Sequence, residues 1–292
     1  MTQNGPDREN IQNDRERARA EFLARRKKEN TKRAVITAVI SAVALILAVV
    51  LCLLIFGFRY MKLTGTDGRT VRFLGRVSDG KPYSGHIYYP EGASAKVDMS
   101  AGRVVFSNGD VYEGALDMYL CRNGEGKMIY ANGDVYEGSF ENDKLGGSGK
   151  YTFSNGDVYE GEIKDGQKNG NGVYYFADGS KYEGTFSNDM KNGNGITTFA
   201  DGSKYEGEYK NDRKDGNGKY TFSNGDVYEG EYKNDVREGN GKYTFSSGAV
   251  YEGEFQNNEI CGEGRYTWPS GRVYEGIFKD GTIVSDDWPS RE

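Results

Sequence analysis

The sequence predicts a mostly β protein: an elongated single-layer antiparallel β-meander of repeated hairpins, preceded by one transmembrane α-helix. The tripeptide Tyr-Glu-Gly recurs eight times, with a first step of 24 residues and six further steps of 23 residues. A fixed period of this size indicates a repeat architecture. An uncharged run of 25 residues, Ala34–Phe58, precedes the repeats. The 292 residues include 42 Gly and 22 Tyr, which favours a thin sheet held by aromatic side chains over a thick aliphatic core.

Residues 1–33 are predicted to form a charged cytoplasmic tail, because they carry ten Lys/Arg and six Asp/Glu and few apolar residues. Residues 34–58 are predicted to cross the lipid bilayer as a helix. At about 1.5 Å per residue they exceed a hydrocarbon core of about 30 Å. A cleavable signal peptide is the alternative. The long charged leader and the lack of a small-x-small site after the run favour a retained signal anchor.

Charge on the two sides of this run predicts its orientation. Nine Lys/Arg lie between Arg15 and Arg33, against five between Arg59 and Arg76. Cytoplasmic flanks of membrane helices carry the excess of basic residues. The sequence therefore predicts a single-pass protein of the cell membrane with a cytoplasmic amino terminus and an extracytoplasmic repeat array.

The remainder of the chain divides by the regularity of its repeat. Residues 59–101 are predicted to be a linker with a degenerate capping repeat, since terminal repeats are commonly atypical. Residues 102–281 are predicted to hold eight repeats, and residues 282–292 a tail. The single histidine, His86, lies in the degenerate copy. No motif places a carboxylate, Ser or Cys beside it, so we expect no catalytic role.

Each repeat is predicted to fold as a hairpin. Asn224-Gly225 lies between two β-prone runs, which favours a two-residue type I′ turn. Such a turn would place Thr221 opposite Tyr228 and Tyr220 opposite Glu229. Residues 234–241 would then form a loop leading to the next hairpin.

The tripeptide residues are predicted to be structural, with Gly leaving a notch between two large side chains and Glu accepting hydrogen bonds from backbone, Lys or Tyr donors. The notched face is also where we expect grooves, so Tyr182, Tyr205 and Tyr228 are the predicted partner contacts. The repeat-motif residues are Tyr112, Glu113, Gly114, Tyr136, Glu137, Gly138, Tyr159, Glu160, Gly161, Tyr182, Glu183, Gly184, Tyr205, Glu206, Gly207, Tyr228, Glu229, Gly230, Tyr251, Glu252, Gly253, Tyr274, Glu275 and Gly276.

The pattern Tyr-Glu-Gly-x-φ-x-(Asn/Asp)…Gly-x-Gly-x-Tyr-x-Phe-x-(Asn/Asp)-Gly resembles the MORN repeat (membrane occupation and recognition nexus) over about residues 102–281. The resemblance implies an elongated, twisted single-layer sheet of hairpins. It also implies roles in scaffolding, membrane association and partner binding. The apolar run ahead of the array is similar to the arrangement in bacterial membrane-anchored MORN proteins.

These observations favour a non-enzymatic, membrane-anchored scaffold that mediates protein–protein interaction or membrane-associated assembly. Residues 59–292 carry 28 Lys/Arg and 38 Asp/Glu, which argues against a nucleic-acid partner. A periodic row of glutamates has no unique catalytic centre, and no phosphate-binding, dinucleotide or metal-ligand motif is present, so we expect no enzyme activity, cofactor or metal. The protein partner is unidentified, and self-association through a sheet edge stays open. The alternative is a cell-envelope glycan- or lipid-binding module that uses its aromatic stripes.

Overall fold

A computed structural model describes residues 8–65 and 68–285, which form one long helix followed by one antiparallel sheet of 21 strands. The helix α1 spans Arg8–Ile55. The strands are β1 Phe58–Thr64, β2 Thr70–Ser78, β3 Lys81–Tyr88, β4 Ser94–Asp98, β5 Arg103–Phe106, β6 Val111–Leu116, β7 Arg122–Ile129, β8 Val135–Glu141, β9 Lys144–Thr152, β10 Val158–Lys164, β11 Gln167–Tyr175, β12 Lys181–Ser187, β13 Met190–Thr198, β14 Lys204–Lys210, β15 Arg213–Thr221, β16 Val227–Lys233, β17 Val236–Thr244, β18 Val250–Gln256, β19 Glu259–Thr267, β20 Val273–Lys279 and β21 Thr282–Ser285.

Every strand pairs with its neighbours in sequence, so the predicted meander and fold class are confirmed. The strands β1 to β4 belong to the same sheet, and the predicted linker at 59–101 is therefore largely a β-cap on the array. At the other end β21 extends the sheet to Ser285, within the predicted tail. The rest of that tail lies outside the described residues.

The helix α1 contains much of the charged tail and residues 34–55 of the apolar run in one element of 48 residues, and the last residue of that run, Phe58, begins β1 instead. Two residues beyond the end of the helix Gly57 has a φ of +79°, and the Arg59 guanidinium donates a hydrogen bond of 2.8 Å to the Leu54 carbonyl. A left-handed glycine and a basic donor are common terminators of helices. The helix is long and apolar enough to cross a membrane, and its apolar side chains do not pack on the sheet.

The hairpin register differs from the prediction by one residue. Thr221 pairs with Val227, Tyr220 with Tyr228 and Lys219 with Glu229. The loop contains three residues, and only its last, Gly225, has a positive φ, of +89°. This is a type I turn followed by a left-handed glycine, which is the common three-residue hairpin loop. The predicted two-residue turn at Asn224-Gly225 was wrong, and as a consequence Tyr220 and Tyr228 share one face of the sheet.

The two-residue turns occur at the other connection within each repeat. Asn234 and Asp235 have φ values of +50° and +71° and join β16 directly to β17. Two positive φ values in succession are characteristic of a type I′ turn, and Asn and Asp tolerate this conformation better than other non-glycine residues. The predicted loop at 234–241 is therefore strand from Val236 onward.

The motif tyrosines form the core of the array. Seven of the eight are completely buried, and each ring lies across the glycine two residues later and that glycine's partner on the next strand. The Tyr182 ring covers Gly184 and Gly195 in this way, and an added Cβ at either glycine would overlap it. The Tyr182 ring also meets Phe186 and Tyr209 edge-on, with centroids 5.1 and 5.2 Å apart. The prediction of a thin sheet held by aromatic side chains is confirmed, and its rings form a ladder that joins one repeat to the next.

The Asp residues after the Asn-Gly turns join successive repeats. The Asp226 carboxylate accepts hydrogen bonds from the Ser246 amide at 2.7 Å and the Tyr243 hydroxyl at 2.8 Å, both in the following repeat. These bonds lower the pKa of Asp226 to about 2. Asp134 and Asp157 make the corresponding contacts, and their pKa values are also lowered.

Replacement of Gly195 by Ala is expected to destabilise the array by about 1–3 kcal/mol, because the new methyl group must displace the buried Tyr182 ring. Thermal unfolding of the detergent-solubilised chain, followed by near-ultraviolet circular dichroism, measures the effect. Gly146→Ala is the matched control, since its Cβ would meet only the Glu141 Cβ at 4.0 Å. Equal losses in both variants would contradict the role given to the Tyr–Gly contact.

Acid is expected to weaken the contacts between repeats. Because the folded pKa of Asp226 lies below its ordinary value of 3.8, its stabilising contribution is present above about pH 4 and is lost as the pH falls towards 2. A triple variant with Asp134, Asp157 and Asp226 changed to Asn should show a smaller fall in unfolding temperature between pH 4 and pH 2 than the parent chain. The exposed Glu259→Gln variant serves as control, and an unchanged pH profile in the triple variant would refute the assignment.

Candidate partner-binding groove

The sheet has two chemically different faces. Its aromatic face carries the motif tyrosines, and basic side chains cover their rings. The Lys214 Nζ lies 5.4 Å from the ring centre of Tyr205, 4.9 Å from that of Tyr220 and 5.3 Å from that of Tyr232. Burial lowers the pKa of Lys214. The ring faces are thus occupied by cations of the same chain.

Sequence reasoning missed this basic row, although its signal was available. A cation recurs at the repeat period, close to the start of the first strand of each hairpin. The residues are Arg122, Lys168, Lys191, Lys214 and Arg237. The period is broken at Leu145 and Ile260, which hold the corresponding positions. The row covers the aromatic core much as a second layer would cover an ordinary sheet.

The three predicted partner contacts are fully buried. Tyr182, Tyr205 and Tyr228 have no exposed surface, and their hydroxyls donate to backbone carbonyls of their own strands at 2.9–3.0 Å. Burial raises the pKa of Tyr182 and of Tyr228 to about 12. The one-residue change of register explains the difference from expectation, since it places further aromatic rings beside them. These tyrosines stabilise the sheet, and a contact surface has to be sought elsewhere.

The opposite, polar face carries the eight motif glutamates, each in an ion pair of 2.6–3.5 Å. The pairs are Glu113–Arg103, Glu137–Lys127, Glu160–Lys150, Glu183–Lys181, Glu206–Lys204, Glu229–Lys219, Glu252–Lys242 and Glu275–Arg265. The donors come from strands rather than from the adjoining turns. Because these pairs are about half exposed, they set the charge pattern of the face more than they add to stability.

Two of these ion pairs differ from the other six in the position of the lysine. In six repeats the basic partner lies directly across on the preceding strand, whereas Glu183 and Glu206 pair with a lysine two residues earlier on their own strands. The position across from them is apolar: Val173 faces Glu183, and Ile196 faces Glu206. In the central repeats, two half-buried aliphatic side chains therefore interrupt the series of basic residues that face the motif glutamates.

An open groove of about 650 Å³ lies over this interruption. Its floor is backbone, because one motif glycine or partner glycine from each strand lies beneath it, and a side chain at these positions would point to the aromatic face. The walls are a row of motif glutamates with Val173 and Ile196, and on the other side Asn171 and Asn194. The groove crosses five strands, from β10 to β14, a distance of about 19 Å at about 4.8 Å per strand. Its floor glycines are Gly161, Gly172, Gly184, Gly195 and Gly207.

The groove contains carboxylates, amides and aliphatic groups but no arrangement typical of a catalytic centre. Over residues 8–65 and 68–285, no cluster of three or more His, Cys, Asp or Glu side chains is placed to hold a metal ion. The turn aspartates accept hydrogen bonds from backbone amides of the next repeat. The geometry suits the binding of an extended chain.

A sheet of hairpins in which each repeat contacts only its neighbours, with a Tyr–Gly core and a groove across the strands, defines a β-repeat protein. The sequence pattern of the family described as "MORN repeat" matches seven consecutive segments: 122–135, 136–158, 159–181, 182–204, 205–227, 228–250 and 251–271. These segments cover more than half of the chain. The protein belongs to the MORN repeat family.

Among solved structures, the TCP domain of SAS-4 (dCPAP) from Drosophila melanogaster, in complex with a proline-rich motif of Ana2 (dSTIL), is 18% identical. That match covers 53% of this chain and 85% of the domain, with a TM-score of 0.35. The wild-type TCP10 domain of CPAP from Danio rerio is 13% identical over 75% of this chain and 99% of that domain, with a TM-score of 0.34. A search of curated proteins found no match.

Proposed function

We propose that the chain is a non-enzymatic, membrane-anchored MORN-repeat scaffold, and that its polar-face groove binds an extended segment of a partner protein. The observation that carries the proposal is the break in the repeat at Val173 and Ile196. On the preceding strand every other motif glutamate faces a lysine or arginine, so the two aliphatic residues are a local departure from the repeat. A binding surface is the simplest reason for such a departure.

The chemistry of the groove defines the segment that would fit it. Its length of about 19 Å accommodates about six residues of extended chain at about 3.3 Å each. The carboxylates of Glu160, Glu183 and Glu206 stay about half exposed beside their own lysines and favour Lys or Arg in the partner. Val173 and Ile196 favour an apolar side chain between them. We therefore expect a segment with basic residues around a central aliphatic or aromatic residue.

The apolar part of α1 supports anchoring in the cell membrane. Val35, Leu45 and Ile55 are 57–71% exposed, and lipid would cover them. With the basic excess on the amino-terminal side, the tail would be cytoplasmic and the array extracytoplasmic, as a single-pass protein. In this arrangement the scaffold holds its partner close to the membrane. Self-association of the array is compatible with it.

Binding of glycan or lipid through the aromatic stripes is a weaker candidate. Such binding needs free ring faces, and Lys168, Lys191 and Lys214 already lie over the rings of the central repeats. The one tryptophan among the described residues, Trp268, has Arg272 over its ring at 5.0 Å.

The double variant Val173→Lys and Ile196→Lys restores the repeat consensus and is expected to abolish partner binding without unfolding the sheet. A photo-crosslinker at residue 173 or 196 of the full chain, in cells that make it, should label a defined protein. The double variant should fail to co-purify that protein. Thr221→Lys with Thr244→Lys, on the same face outside the groove, is the matched control.

Co-purification that survives in the groove variant would contradict the assignment of the groove. Crosslinking to lipid or polysaccharide alone would favour the weaker candidate. Turnover of a substrate by the purified chain, lost on substitution of a single carboxylate, would contradict both.

A further inference from the structure

The β-cap formed by β1 to β4 differs in charge from the rest of the array. Residues 59–101 carry seven Lys/Arg and four Asp/Glu, whereas residues 102–292 carry 21 and 34. The cap is thus positive by three charges and the array negative by thirteen. An anionic surface therefore attracts the cap and repels the array.

The cap's positive charge is concentrated on one of its faces. Lys62 pairs with Arg72 across β1 and β2, and His86 pairs with Lys96 across β3 and β4. Directly opposed residues lie on the same face of a sheet. These side chains are exposed, and no ion pair among residues 8–65 and 68–285 involves Lys62, Arg72 or Lys96. One carboxylate, Asp98, shares the face and accepts hydrogen bonds from Ser100.

Large apolar and aromatic side chains lie among these cations. Tyr60 is 64% exposed, Leu74 48% and Tyr88 41%, and they occupy the same face, since Tyr60 pairs with Leu74 and Tyr88 with Arg72. The cap has a buried face of its own on the other side, which contains Phe73 and Val97. The exposed residues are therefore not needed for its core. We call this surface the basic–aromatic face.

The basic–aromatic face begins immediately after the proposed membrane helix. The strand β1 starts at Phe58, three residues beyond the end of α1 at Ile55. The Arg59 guanidinium is hydrogen-bonded to the last turn of that helix. Short connections of this kind keep the cap within a few ångströms of the point where the chain leaves the bilayer.

We propose that the basic–aromatic face lies on the headgroups of anionic lipids in the bilayer that holds α1; this inference rests on the proposed membrane anchor. Lys and Arg beside a membrane are attracted to anionic headgroups, and tyrosines favour the interfacial region. The negative array is repelled by the same surface. The combination holds the cap on the membrane and directs the array away from it.

A polarity-sensitive fluorophore at residue 74 tests this in the full chain. Leu74→Cys, with Cys52, Cys121 and Cys261 changed to Ser, is labelled and reconstituted in vesicles of phosphatidylcholine with or without phosphatidylglycerol. We expect a blue shift and higher emission in the anionic vesicles only. The same label at the exposed Tyr175 of the array should not respond.

Charge reversal at Lys62, Arg72 and Lys96 to Glu is expected to remove the shift, and replacement of the three by Gln to reduce it. Reversal of the exposed array residues Lys164, Lys210 and Lys233 to Glu is the matched control and should leave it intact. Identical spectra in both vesicle types, or a shift that survives the cap reversal, would overturn the inference. A chain that alkaline carbonate strips from the vesicles would overturn the anchor as well, whereas a carbonate-resistant chain without the shift would overturn only the cap's role.

Discussion

The structure depends on the contact between a tyrosine ring and a pair of glycines on adjacent strands. A glycine at these positions lets the ring of the preceding tyrosine lie flat against the backbone, where any side chain would displace it. The ring is then held by its hydroxyl, which bonds to the carbonyl three residues later, and by edge-on neighbours in the same and the following repeat. Edge-to-face pairs contribute about 0.5–1.5 kcal/mol each beyond area burial. Repetition of this contact gives a single-layer sheet a core that it would otherwise lack.

This arrangement assigns the two faces different tasks. The aromatic face is used for packing, because its rings are buried and its remaining surface is covered by basic side chains. The polar face carries ion pairs of small energetic value, and substitutions there are tolerated structurally. Residues that determine binding specificity can therefore vary on the polar face without loss of the fold. Val173 and Ile196 are the positions where this chain departs from the basic residues of the other repeats, and the proposed binding site lies over them.

The sheet's local chemistry also explains how far the sequence could predict it. The repeat, the helix and the aromatic ladder follow from periodicity and composition, which are local signals. The turn register does not, because Asn-Gly suits loops of two and of three residues. The three-residue loop forms in every regular repeat, including those with Ser180, Ser203 or Ala249 in the position of Asp226.

The burial of Tyr182, Tyr205 and Tyr228 followed from that register. This burial could not be predicted from the sequence, because the predicted register was wrong by one residue. The groove, by contrast, could be predicted from the sequence. Alignment of the repeats with one another shows Val173 and Ile196 at the position where most repeats have Lys or Arg.

The most direct test of the central contact is a spectrophotometric titration of the tyrosines in the full chain at alkaline pH. Burial raises the pKa of Tyr112, Tyr136, Tyr182 and Tyr228 to about 12. Because these values lie above the ordinary value of 10, the stability they confer is lost as the pH rises from 10 through 12. The account predicts a group of tyrosines that ionises only near pH 12, together with loss of near-ultraviolet circular dichroism. Ionisation of all 22 tyrosines in one step near pH 10, with the sheet still folded, would contradict it.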